Sequence, residues 1–272
     1  MRLPGPLVGV DWLADHVDDP EVVVADVRWY LDGRSGRAAY DAGHVPGAVF
    51  VDVDGDLAVP QPAGTPGGRH PLPTAADFAA AMSRLGIGDA SSVVAYDDAS
   101  GAVAARLWWM LTVTGHDAGV LDGGLAAWPG SLSTEPAALT PAEFSPRPWP
   151  PEHMADAASV AKAPLVLDAR AAERYRGEAE PVDPRAGHIP GAVSAPFAGN
   201  LDPSGRFLSP GDLRQRYEAL GADTNETIVS CGSGINACHL ALAFAFVGLP
   251  PPSLYVGSYS DWVSDPSRPV AR

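Results

Sequence analysis

The chain says one thing twice. The run Asp41-Ala-Gly-His-Val-Pro-Gly-Ala-Val49 returns as Arg185-Ala-Gly-His-Ile-Pro-Gly-Ala-Val193. Each copy follows an apolar run, Val22-Val-Val-Ala-Asp-Val27 in the first half and Leu165-Val-Leu-Asp168 in the second. Further on, Val93-Val-Ala-Tyr-Asp97 is matched by Ile228-Val-Ser-Cys231, and Val120-Leu-Asp-Gly-Gly124 by Leu254-Tyr-Val-Gly-Ser258. Matched segments in one order restrict the chain to two copies of one structural unit. A chain of 272 residues has room for them, since an ordinary domain takes about 100–200 residues. The copies are expected over 1–132 and 154–272. Residues 133–153 between them carry Pro136, Pro141, Pro146, Pro148, Pro150 and Pro151, and read as an extended linker.

Within each copy, short β-branched runs alternate with helical stretches. Thr74–Leu85 opens on Thr74 as N-cap after Pro73, and Pro210–Leu220 is its counterpart. Val103–Val113 and Ile235–Val247 follow the paired runs ending at Asp97 and Cys231. Alternation of this kind predicts an α/β fold: two similar domains, each a mostly parallel sheet flanked by helices on both faces. Ligands of such sheets bind beyond the carboxyl ends of the strands, and Cys231 stands at such an end.

Composition removes several function classes. A net charge of −15 offers no basic face to nucleic acid or an anionic membrane. An anionic substrate must therefore be met by locally placed Arg or Lys. No apolar run approaches the ~18 residues of a membrane span. MRLPGPLVGV does not read as a signal peptide, so the cytoplasm is the expected location. The two cysteines, Cys231 and Cys238, are too few for a disulfide framework. Together with His239 they lack zinc spacing, and no metal or organic cofactor is expected.

The chemistry concentrates in Cys231-Gly-Ser-Gly-Ile-Asn236. A strand ends, Gly232 and Gly234 permit a tight turn, and an apolar helix begins. Successive backbone N–H groups of such a loop can converge on one anion, aided by the helix N-terminus. A thiol placed there exists partly as thiolate, and a persulfide anion is held by the same donors. A buried, inert cysteine is the competing reading. It suits Cys238, about one turn into the helix, better than Cys231. Cysteine phosphatases use a related loop with an arginine six residues on; here position 237 is Ala, and no Arg occurs between Cys231 and Asp261.

These motifs resemble the tandem-domain rhodanese superfamily, along nearly the whole chain. The resemblance rests on the duplicated Gly-His-[Val/Ile]-Pro-Gly-Ala, a cysteine in the second copy alone, Asp97 at the matching place of the first, and the closing Leu254-Tyr-Val-Gly-Ser-Tyr-Ser-Asp-Trp262. Thiosulfate-preferring members typically have Cys-Arg-Lys-Gly in the loop; Cys-Gly-Ser-Gly-Ile-Asn-Ala is similar to the mercaptopyruvate-using branch, with Ile235 for Val and Asn236 for Thr or Ser. The resemblance implies a substrate-binding loop of Gly232, Gly234, Ile235 and Asn236. It implies a carboxylate-binding Arg174, in Arg174-Tyr-Arg-Gly177, because a keto-carboxylate suits a fork-shaped cation. Arg185 is the second candidate, displaced by a segment of different length, and Arg176 could replace either. The alternative for each is a solvated surface charge.

The resemblance also implies a relay of Ser233, His70 (in Gly68-Arg-His-Pro-Leu72) and Asp54 (in Val51-Asp-Val-Asp54), with Asp52 as the competing carboxylate and the first copy supplying His70 and Asp54 to a site between domains. Otherwise Ser233 shapes the loop and His70 is a surface histidine. His44 and His188 occur in both copies and read as structural; Trp108 and Trp109 read as packing. The implied activity is ping-pong sulfur transfer through a Cys231 persulfide. The donor is 3-mercaptopyruvate, and the acceptor a thiol, cyanide or a thioredoxin-like protein. Two alternatives stand beside it: thiosulfate as donor, and a non-catalytic sulfur-relay module, kept open by Asn236.

Overall fold

A computed structural model describes residues 2–59, 61–62, 64–222 and 226–272. The chain divides into two units. The first holds β1 (Leu7–Val8), β2 (Val22–Asp26), β3 (Val49–Phe50), β4 (Ser92–Tyr96) and β5 (Asp117–Leu121), in the order β1-β5-β4-β2-β3. The second holds β6 (Met154–Ala155), β7 (Leu165–Asp168), β8 (Val193–Ser194), β9 (Thr227–Ser230) and β10 (Ser253–Tyr255), in the order β6-β10-β9-β7-β8. Every pairing is parallel, and the two orders match position for position. The duplication read from the sequence is a duplication of topology.

Parallel strands covered on both faces need no alternation, which is why their sequences are near-continuous apolar runs. The two central strands, β4 and β9, are buried at every residue. Helices close the faces. Ala75–Arg84 is capped by Thr74, whose hydroxyl accepts the N–H of Asp77, and Pro210–Ala219 by Ser209 through the N–H of Asp212. Ala104–Val113 and Ala237–Val247 follow the central strands and are almost wholly buried, Trp108 and Trp109 included. Among the described residues no helix is long and apolar enough to cross a membrane.

Both units carry the same buried brace. Arg28 donates to Asp26 at 2.6 Å and to the Gly43 carbonyl at 2.8 Å; Arg170 donates to Asp168 at 2.7 Å and to the Gly187 carbonyl at 2.8 Å. Each ties a strand end to the repeated Gly-His turn. The turn histidines are equally alike: His44 and His188 each bond a carbonyl (Tyr40 and Tyr175) at 2.8 Å and stack on the same tyrosine at 3.8 Å. A residue used identically in the copy without a cysteine is structural, as read from the sequence. Removing one member of a buried pair strands the other's charge, which costs about 3–5 kcal/mol. Asp26→Ala should therefore lower the stability of the first unit by about that much, read as a lower urea midpoint.

The units do not follow the chain strictly. Residues 133–149 of the proline-rich segment lie in the first unit, where Ser83 donates to the Ala142 carbonyl at 2.5 Å and Trp149 to the Pro73 carbonyl at 2.8 Å. Val59–Leu72, inside the first copy of the sequence, belongs to the second unit, and Pro203–Arg206 to the first.

Candidate active site

Cys231 follows β9 directly and is 1% exposed. Gly234, at φ +78°, turns its N–H back to Cys231 Sγ at 3.1 Å. A side chain at that dihedral would be strained, so glycine is needed there. Asn236 then begins the helix with helical dihedrals and no side-chain capping bond. The turn after β10 clamps the loop from outside. Tyr259 N–H donates to the Cys231 carbonyl at 3.0 Å, and Ser260 N–H to the Gly232 carbonyl at 2.9 Å. Ser258, buried and at φ +52°, accepts the Cys231 N–H at 3.1 Å, donates to the Tyr255 carbonyl at 2.7 Å, and stands 3.9 Å from Cys231 Sγ. A non-glycine residue in the left-handed region is a strain held in place by its surroundings. Cys238 is buried in the helix and donates its thiol to the Gly234 carbonyl at 3.3 Å, the packing role expected of it.

The first unit shows what such a loop does with an anion. Asp97 follows β4 as Cys231 follows β9, and its carboxylate is wholly buried. It accepts the N–H groups of Ala99 and Gly101 at 2.8 Å each, of Val103 at 2.7 Å and of Ala104 at 2.8 Å. Four backbone donors converge on one carboxyl group, against a burial that pushes it above the ordinary carboxylate range.

The arm Val59–Leu72 brings His70 to this loop within the second unit. Gly67 N–H bonds Asp261 at 2.7 Å and Arg69 N–H bonds Ser260 Oγ at 3.1 Å. Gly68, at φ +84°, lies so near the turn that a Cβ would stand 2.4 Å from the Gly257 carbonyl oxygen. So seated, His70 Nδ1 is 2.8 Å from Ser233 Oγ, with both side chains buried. Asp54 stands in the first unit, where its carboxylate accepts Trp29 Nε1–H at 3.1 Å. Asp52 caps the short helix Val53–Asp56 through the N–H of Asp54.

The arginines separate clearly. Arg174, on the short helix Ala172–Tyr175, donates to Glu180 at 2.6 Å and Asp183 at 3.2 Å. Arg185 is taken up by main chain: it donates to the carbonyls of Asp265 at 2.8 Å, Arg268 at 2.9 Å and Val263 at 3.3 Å. Arg176 pairs with Glu178 on the surface. Arg69, not singled out from the sequence, pairs with Asp183. A Cβ built on Gly232 would fall 3.0 Å from Arg69 Nη2 and 3.5 Å from Arg174 Nη1, so two guanidinium groups border the residue after the cysteine. A side chain at 232 would press on the tips of both arginines. Burial pushes the Asp183 carboxyl above the ordinary range, against the pull of Arg69. Burial also acts on Glu180, but bonds from Arg174 and from the N–H groups of Asp183 and Val182 outweigh it and hold that carboxyl below its usual range. Neither acid carries a spacing motif; proximity to Arg174 in sequence is the one signal that could have found them.

Rhodanese-like domains match residues 9–130 and 152–265. The chain belongs to the rhodanese-like family. A Pseudomonas aeruginosa relative named "Probable 3-mercaptopyruvate sulfurtransferase" is 44% identical over 279 residues, covering 97% of each protein. A Mycobacterium tuberculosis relative named for thiosulfate sulfurtransferase activity is 42% identical over 264 residues, covering 93% of this chain and 92% of its own. The crystal structure of the Escherichia coli 3-mercaptopyruvate sulfurtransferase SseA superimposes with a TM-score of 0.81 at 33% identity, over 94% of this chain and 99% of that one. This rhodanese-like protein is a sulfurtransferase, with relatives named for that activity along nearly its full length.

Proposed function

We propose that this rhodanese takes sulfur from 3-mercaptopyruvate and carries it as a Cys231 persulfide. One observation carries the reading: Cys231 is flanked by a guanidinium pair at Gly232 and by the Ser233–His70 pair. A 3-mercapto-2-oxo acid has a carboxylate for the first, a carbonyl for the second and a thiol for the sulfur. The Cys231 thiolate attacks the donor sulfur, and the carbon–sulfur bond breaks with its electron pair left on carbon. The leaving group is the enolate of pyruvate. Ser233, backed by His70, donates a hydrogen bond to the enolate oxygen and passes the proton lost from the donor thiol to the carbon, giving pyruvate. The persulfide anion remains, held by Gly234 N–H and the loop around it. A thiol, cyanide or a reduced thioredoxin-type protein then attacks the outer sulfur and restores the thiolate.

Thiosulfate is a second donor, favoured by the name of the 42% identical relative. There the sulfur–sulfur bond breaks, sulfite leaves, and no proton is required.

Incubation with each donor in the absence of acceptor tests the reading. Intact-protein mass spectrometry should show a gain of one sulfur atom that cyanide removes. No gain from 3-mercaptopyruvate would overturn it. Arg174→Ala should lower kcat/KM for 3-mercaptopyruvate by about 10²–10³, because a charge-assisted fork is lost and Glu180 is left buried without it. Wild-type kinetics in that variant would remove Arg174 from the site.

A further inference from the structure

The charges behind the guanidinium pair are balanced in an unusual way. Arg69, Arg170 and Arg174 face Asp168, Glu180 and Asp183 in one network: Arg69 with Asp183, Arg170 with Asp168 at 2.7 Å and Glu180 at 3.3 Å, Arg174 with Glu180 at 2.6 Å and Asp183 at 3.2 Å. Formally it is neutral. It is also layered. The side chains of Arg69 and Arg174 are 10% and 14% exposed, whereas those of Asp183 and Glu180 are 0% and 3% exposed. The cations form the accessible face beside Cys231 and the acids lie behind them. Asp183 is the member bound to both front arginines.

We infer that Asp183 is a specificity-determining residue that tunes the front arginines to a singly charged donor. This rests on the sulfur-transfer reading above and goes beyond it. Asp183 holds Arg69 and Arg174 side by side at Gly232, which gives a carboxylate two cations to approach. Its own buried charge subtracts from theirs, so the second negative charge of a dianion such as thiosulfate meets a weakened field. A group that merely supported the fold would affect both donors alike. A group that sets the local field acts on the difference between them.

The experiment compares kcat/KM for thiosulfate and for 3-mercaptopyruvate in the intact protein, with cyanide as acceptor, at low and high salt. Asp183→Asn keeps the shape and removes one negative charge. The thiosulfate-to-mercaptopyruvate ratio should rise by at least about tenfold at low salt and fall back in part at high salt, a floor set by one unit charge about 12 Å from another near a protein surface. Arg69→Gln removes one cation and should move the ratio the opposite way, which keeps the test open if Asp183→Asn does not fold. Ratios that stay at the wild-type value, or move in one direction in both variants, overturn the inference. Loading of the wild-type protein by 3-mercaptopyruvate is read in the same assay. If it loads and the ratios do not move, the inference fails alone; if it does not load, the underlying reading fails.

Discussion

Cys231→Ser should gain no sulfur from any donor and should lose turnover by at least about four orders of magnitude, as expected when the nucleophile of a covalent mechanism is removed. A hydroxyl cannot form the sulfur–sulfur bond that carries the transferred atom. The fold should survive. Serine is close in size, can accept the Gly234 N–H that now bonds Sγ at 3.1 Å, and leaves the clamps from Tyr259 and Ser260 to the loop carbonyls intact. Thermal unfolding of the variant near the wild-type midpoint, with loading abolished in mass spectra, would isolate the chemistry from stability. Cys238→Ala is the matching control. That thiol lies in the helix after the loop, bonds the Gly234 carbonyl and has no part in the proposed transfer, so its loss should leave loading in place. Sulfur still appearing in Cys231→Ser would move the nucleophile elsewhere.

His70→Ala should separate the two donors. The imidazole lies 2.8 Å from Ser233 Oγ, and its arm is fixed by Gly67, Gly68 and Arg69 against the 257–261 turn. Its proposed work is on the pyruvate enolate, which exists only with 3-mercaptopyruvate. Persulfide formation from that donor should slow by about 10²–10⁴, the usual range for a lost general acid–base group. Formation from thiosulfate, whose leaving sulfite needs no proton, should change far less. Transfer from a preloaded persulfide to cyanide should be nearly unaffected. Stopped-flow loading followed by quench and mass analysis resolves the three steps. Equal slowing with both donors would reduce His70 to a support for the loop.

Local chemistry made parts of this site legible before any coordinates. Two copies, two equivalent central strands, a cysteine after the second of them and a glycine at the reversed dihedral of its loop were all written in contiguous residues. Contiguity is what sequence patterns report. Arg69, Glu180 and Asp183 were missed because their meaning is a network joining a loop arm to a distant segment. Arg185 shows the converse. Its place near a motif made it a candidate for a substrate carboxylate, and its guanidinium instead gathers three carbonyls from residues 263–268. Spacing along the chain does not tell a ligand carboxylate from a main-chain acceptor. The unit to which residues 59–72 belong was hidden for a similar reason: periodicity identifies strands and helices, but not which core a connecting arm joins.

On the proposed reading, the Asp97 loop limits loading to one sulfur per chain. A ligand attached to its own receptor competes at an effective concentration that no dissolved rival reaches. Asp97 is such a ligand, a carboxyl group built into the chain and satisfied by four donors. The duplicated topology gives two matching loops, and one of them is occupied by its own carboxyl group. On the proposed reading, each chain therefore has one loop to load and one that its own side chain keeps filled.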